Sequence, residues 1–314
     1  MLFLFFSTLS TFFMRNVLSV WFIIELNFLC FVRIIRYQFT NNNTNGNIYY
    51  FLIQSLGRVL ILLRALNFLI FRHFFFEATF FIFLLLKLGG APFQFWYLKL
   101  IQKIRWVNIW LISVWQKLIP LLLIKLINYY YLILFGLLRV IIGSLNNLNQ
   151  KKIKKILGLS SIFSLGWTIL SILQSKVWLL FILGYGLILW VLLASLNSLK
   201  IININYLENS NLSIVFYLIF FLGLLIIRGI PPFLMFYLKI LILLELVKLS
   251  FLIVFLLLIL SIFIIYIYLI MGFRFLSFLK AKSFYSRHMS FHHIYCLSYL
   301  FYNILFTAAV IIFL

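Results

Sequence analysis

The chain of 314 residues is 66% hydrophobic and 20% aromatic, with 10% charged residues and a mean hydropathy of +1.21. A soluble domain carries about 25% charge, so lipid must be the solvent here, and a soluble enzyme, a disordered chain and a fibrous protein are excluded. The apolar runs are continuous rather than alternating, which also excludes a transmembrane β-barrel and leaves an all-α polytopic membrane protein.

Lys and Arg number 26 against four acids, Glu25, Glu77, Glu208 and Glu245, for a net charge of +22. In a soluble chain that surplus would point to nucleic acid. Here most of the cations fall in loops between apolar segments, the positive-inside pattern, and no nucleic-acid partner is expected. Cys30 and Cys296 are too few for a zinc site or an iron–sulfur cluster, and no Gly-rich phosphate loop occurs. The chain is therefore expected to carry no redox cofactor. Phe (39), Ile, Asn, Tyr and Lys, all with AT-rich codons, are abundant while Pro (4) is scarce, which suggests an AT-rich organelle genome.

In chain order, hydropathy predicts spans at 2–14, 17–32, 48–71, 74–97, 106–128, 129–148, 156–174, 177–199, 212–247, 249–273 and 294–314. The first run lacks a basic leader and a small-residue cleavage site, and reads as a mature helix. Segment 212–247 would be about 54 Å long as one straight helix, and Pro231-Pro232 interrupts it. Loop charge favours one broken helix over two spans: eleven spans put fourteen cations on the side of the N-terminus and only Arg15, Arg72 and Lys176 on the other. The whole chain 1–314 reads as a single integral membrane domain, with 41–47 a polar connector and 274–293 the largest loop. His288, His292 and His293 in that loop have ligand-like spacing, but no carboxylate lies near and Cys296 is the single thiol beyond them, so no metal site is expected.

Four ionisable residues fall at membrane depth. Lys117 is about 17 Å into its span, near the bilayer centre, where snorkelling fails. Lys87 lies deep in 74–97, Glu25 lies mid-span, and Lys239 follows the Pro231-Pro232 break by seven residues. Each charge costs at least ~2.5–3.5 kcal/mol at that depth and needs a partner or water. A charge pair at ~4 Å and an effective dielectric of ~20 is worth about 4 kcal/mol, enough to load or empty a lysine. These residues read as a proton path. The breaks also repeat: 92–99 and 232–239 match at Pro92/Pro232, Phe93/Phe233, Tyr97/Tyr237, Leu98/Leu238 and Lys99/Lys239. The two spans are an odd number of positions apart, so the arrangement reads as an inverted repeat.

The stretches 24–27, 87–96, 115–120, 143–150, 159–167 and 229–233 resemble, in the same order, the mitochondrial NADH dehydrogenase subunit 2 family; Lys-Leu-Gly-Gly-Ala-Pro-Phe at 87–93 and Trp-Gln-Lys-Leu-Ile-Pro at 115–120 are the most specific. The resemblance implies an antiporter-like subunit in the membrane arm of respiratory complex I, with the positive side and the N-terminus in the mitochondrial matrix. The C-terminus would then face the intermembrane space. It implies that Glu25 tunes Lys87, Lys117 relays the proton between half-channels, and Lys239 loads or releases it. NADH, FMN, iron–sulfur clusters and ubiquinone would be handled by other subunits. Partners would be the neighbouring antiporter-like and other membrane-arm subunits, with inner-membrane lipids, cardiolipin among them. Gln94, Lys99 and Arg228 depart from the family pattern, as do Arg58 and Arg64 inside 48–71. Those two arginines are expected to snorkel or to meet partner subunits or lipid headgroups, or else to alter the water path. Two other readings stay open: a free-standing cation/proton antiporter, and a structural spacer whose buried charges are static pairs.

Overall fold

The computed structural model describes residues 2–14, 16–36, 45–70, 75–125, 127, 129–148, 150, 152–173, 177–198, 214–231 and 233–281. The span expected at 294–314, the three loop histidines, Pro232 and Glu208 lie outside these residues. The chain separates into two compact units, Met1–Arg139 and Val140–Leu314.

The first unit holds α1 (Leu2–Thr11), α2 (Val17–Arg36), α3 (Asn45–Ile70), α4 (Phe75–Leu88), α5 (Phe95–Lys103), α6 (Trp106–Ser113), a 3-10 turn at Trp115–Lys117 and α7 (Leu118–Ile124). Helix α8 (Tyr129–Leu145) contains the division. Helix α2 packs on α1 and α3, α3 on α4 and α5, and α7 on α4 and α1. The second unit holds α9 (Ile153–Ser171), α10 (Val177–Ser198), α11 (Ile214–Arg228), α12 (Leu234–Val247) and α13 (Phe251–Ala281). Here α10 meets α9, α11 and α12, and α13 covers α11 and α12.

Both units expose large apolar side chains and enclose polar ones in a largely apolar interior: Phe3, Phe13, Phe251 and Leu252 are exposed, while Asn27, Asn108, Lys117, Arg139, Arg228 and Lys239 are buried. That arrangement suits a lipid surround, in which charged groups belong inside. Helix α9 shows how the interior tolerates polarity. It is buried along nearly its whole length, and Ser160, Ser161, Ser164, Thr168 and Ser171 each donate to the carbonyl three residues back. The hydroxyls are satisfied within their own helix, leaving a smooth surface for close packing. Gly143 of α8 helps, since a Cβ there would come within 3.0 Å of the Phe163 backbone.

Five described helices are long and apolar enough to cross a bilayer: Leu18–Arg36, Trp106–Ile124, Ile153–Ser171, Val177–Asn197 and Phe251–Ile270. They coincide with five of the spans expected from hydropathy. Segment 212–247 instead holds two helices, α11 and α12, and segment 74–97 holds α4 and the start of α5. Helix α4 stops at Leu88 and α11 at Arg228, both followed by a glycine with positive φ, Gly89 at 60° and Gly229 at 79°. Glycine adopts this left-handed geometry without a Cβ penalty and ends a helix there.

Within 106–128 the ladder tightens to a 3-10 turn at Trp115–Lys117 between α6 and α7. Pro120 explains this: it has no N–H for the Gln116 carbonyl, and its ring crowds that group. One expectation needs correction: residues 274–281, expected in a loop, continue α13. The sequence after Gly272 has no proline or further glycine to stop it, so the helix runs beyond the ~30 Å hydrocarbon core with Arg274 and Lys280 at its end.

Candidate functional site

The first unit gathers three of the four residues singled out in the sequence. Glu25 on α2 forms an ion pair with Arg58 on α3. Arg58 is 6% exposed, and its guanidinium lies 3.7 Å over the Phe28 ring, so it neither snorkels nor awaits another subunit. This corrects the expectation for Arg58. The side chain of Arg64 lies outside the described residues. Lys87, in the last turn of α4, is half-buried, and the charges of Arg58 and Glu25 both act on it.

Helix ends supply carbonyls with no partner in their own ladder. At the end of α4 these are taken by side chains: Gln54 Nε2 donates to the Lys87 carbonyl at 3.1 Å and Trp96 Nε1 to the Leu86 carbonyl at 3.2 Å. Lys117 closes the 3-10 turn and is 4% exposed. Its Nζ donates to the Tyr97 hydroxyl at 3.4 Å and lies 4.9 Å from the centre of that ring. Next to it, Gln116 Nε2 donates to Asn27 Oδ1 at 2.8 Å, and Asn27 Nδ2 donates to Ser7 Oγ at 3.1 Å. This string ties the 3-10 turn to α2, two residues from Glu25.

In the second unit Lys239 on α12 donates to the Arg228 carbonyl at the end of α11. Arg228 is 1% exposed; its Nη2 donates to the Tyr268 hydroxyl, and its guanidinium lies 4.2 Å from the Tyr268 ring centre and 5.2 Å from that of Phe163. Lys239 itself sits 5.4 Å from the Phe163 ring centre and 5.3 Å from that of Trp167. Aromatic faces thus surround two neighbouring cations, and no ion pair to either is present among the described residues. Lys99, the repeat partner of Lys239, is exposed on α5 with its Nζ 5.6 Å from the Tyr49 ring centre. The sequence match therefore holds for the helix stop but not for the lysine's surroundings.

Arg139 was missed in the sequence. It is fully buried on α8, none of its guanidinium nitrogens has a hydrogen-bond partner, and a Cβ at Gly90 would overlap it. Its signal was available, because it lies ten residues into the span 129–148, as deep as Lys117 lies in its own. Among the described residues no group of three or more His, Cys, Asp or Glu could hold a metal.

Membrane-length apolar helices, glycine-ended helices and ionisable side chains buried among them define the class as a multi-pass helical membrane protein. A family model described as "NADH:quinone oxidoreductase/Mrp antiporter, TM" matches residues 15–265, and the chain belongs to that family. Among its relatives, NADH-ubiquinone oxidoreductase chain 2 of Anopheles gambiae is 32% identical over 79% of this chain and 76% of its own length. The protein of the same name from Osphranter robustus is 32% identical over 78% and 75%. The fold recurs in respiratory complex I from Thermus thermophilus, with a TM-score of 0.76 at 20% identity over 93% of this chain and 73% of the other. It recurs also in an archaeal membrane-bound sulfane sulfur reductase, with a TM-score of 0.77 at 15% identity over 95% and 69%.

Proposed function

We propose that this chain is a proton-translocating subunit in the membrane arm of respiratory complex I, in the inner mitochondrial membrane. The named animal relatives and the fold support that placement. The observation that carries the chemistry is Lys117: an ammonium buried at an interruption of its helix, with a tyrosine hydroxyl beside it. A static structural charge in lipid would call for a carboxylate partner, whereas a proton carrier needs a group that can be either charged or neutral.

On this reading Glu25 tunes Lys87, Lys117 relays the proton, and Lys239 loads or releases it. The chain crosses the membrane eleven times, 74–97 and 212–247 are Pro-broken helices, and the N-terminus faces the matrix. The glycine-ended stops at Gly89 and Gly229 interrupt the helices beside Lys87 and Lys239 and admit water to the path. The chain has no redox centre; NADH, FMN, iron–sulfur clusters and ubiquinone are handled by partner subunits, which supply the energy. Neighbouring antiporter-like subunits and inner-membrane lipids, including cardiolipin, cover its apolar faces.

The test has two parts. Detergent-solubilised inner membranes are run on a native gel, stained for NADH oxidation, and the active band is analysed by mass spectrometry. Peptides from 99–105 and 151–155 are expected there, and the chain found only in a small inactive band would refute the assignment. Lys117→Met in the assembled complex is then expected to lower protons moved per NADH oxidised. Unchanged stoichiometry would leave the spacer reading, which the Glu25–Arg58 ion pair favours.

A further inference from the structure

In the proposed relay Glu25 serves Lys87, yet the carboxylate's ion-pair partner is Arg58. The two ends of that pair differ in freedom. Arg58 is held on several sides: its Nε donates to the Gln54 carbonyl at 3.3 Å, its guanidinium is stacked on Phe28 at 3.7 Å, and its own carbonyl accepts from Trp21 Nε1 at 3.0 Å. Its side chain is 8% exposed against 34% for Glu25. The guanidinium is fixed and the carboxylate has room to turn.

The same stretch of α3 also holds Lys87. Gln54, Gly57 and Arg58 share one face at i, i+3 and i+4. Gln54 caps the Lys87 carbonyl at 3.1 Å, and a Cβ at Gly57 would lie 3.8 Å from the Lys87 Cβ. The stretch of α3 that holds the ion pair thus also packs on a second cation of a different kind, and the charges of both Arg58 and Glu25 act on it. Arginine keeps its charge under all conditions, whereas lysine can lose its proton.

Resting on the proton-path reading above, we propose that Arg58 is a positioning residue that competes with Lys87 for the Glu25 carboxylate. With Glu25 on Arg58, Lys87 faces a fixed positive charge without a counter-ion, and its proton passes from Nζ to the next water or carrier. With Glu25 turned to Lys87, the ammonium is held. The ammonium N–H bond breaks and a bond from that proton to the accepting oxygen or nitrogen forms, and no other covalent bond changes. Arg58 thus gives Glu25 a second seat, so the carboxylate can leave Lys87 without being stranded in the membrane.

The test uses the whole complex in proteoliposomes, reading protons moved per NADH oxidised together with the assembled amount on native gels. Arg58→Met is expected to slow proton transfer through this subunit about tenfold or more, while Arg58→Lys retains most of it. Glu25→Gln/Arg58→Met is expected to be no worse than Glu25→Gln alone, because the competition is already gone. Should Arg58→Met fail to assemble, Arg58→Gln, which keeps a hydrogen bond without the charge, carries the same prediction. An assembled neutral variant with parental stoichiometry, or losses that multiply in the double variant, would overturn the proposal. Lys87→Ala separates the two ideas. If it pumps like the parent, the relay itself is wrong; if it fails while Arg58→Met and Arg58→Gln pump normally, only the competition is wrong.

Discussion

Replacing Gly229 by alanine tests whether the stop at the end of α11 is the seat of Lys239. At φ 79° an L side chain costs about 1–2 kcal/mol relative to glycine. The new methyl would stand 3.2 Å from the Phe236 backbone nitrogen and 3.3 Å from Lys239 Cδ and Nζ. The backbone at the start of α12 cannot yield, so the ammonium must, and it loses its bond to the Arg228 carbonyl. A hydrogen bond made by a charged group is worth about 1.5–3 kcal/mol, so the combined cost is about 2–5 kcal/mol. Gly184→Ala serves as the control. Its φ is ordinary, and its Cβ would meet only the mobile ends of Leu234 and Met235, at 3.2 and 3.3 Å. Both variants are compared in the intact complex, by assembled amount on native gels and by protons moved per NADH. Gly229→Ala is expected to fall well below Gly184→Ala in both. Equal values would refute the view that this glycine positions Lys239.

Tyr97→Phe keeps the ring beside Lys117 and removes the hydroxyl at 3.4 Å; normal assembly and proton transfer slowed about tenfold are expected, from the low end of the charged hydrogen-bond range. Asn27→Ala leaves Gln116 Nε2 without its acceptor, while Ser7 keeps its bond to the Leu4 carbonyl. It should lower the thermal stability of the purified complex through a loss of about 1–3 kcal/mol for the stranded amide, measured by differential scanning fluorimetry. Gly90→Ala drives a methyl into the Arg139 guanidinium, an overpacking of about 1–3 kcal/mol. Adding Arg139→Met should restore the assembled amount, and failure of that rescue would place the clash elsewhere.

Part of the site was legible in the chain itself. A charge at the centre of an apolar run is conspicuous whatever surrounds it, so Glu25, Lys87, Lys117 and Lys239 stood out by depth alone. The stops at Gly89 and Gly229 were signalled by glycine beside proline, because those residues restrict or release the backbone locally. Pro120 carried the same kind of signal for the 3-10 turn at Trp115–Lys117, and there it went unread. Arg139 carries the same depth signal, ten residues into the span 129–148.

What the sequence determined by itself was the solvent, the helical class and the depth of each charge. These follow from composition, the run length of apolar residues and local backbone chemistry, all of which act within a few turns. The partners of those charges were decided only by tertiary structure. Arg58 and Glu25 are 33 residues apart and meet because α2 packs on α3. Lys117 finds the Tyr97 hydroxyl across 20 residues, and Arg228 finds that of Tyr268 across 40. Lys99 and Lys239 occupy matching positions in a repeated octapeptide, yet one is exposed and the other buried. Helix packing makes that difference, because an apolar helix presents many equivalent faces to lipid and its own pattern does not say which one turns inward.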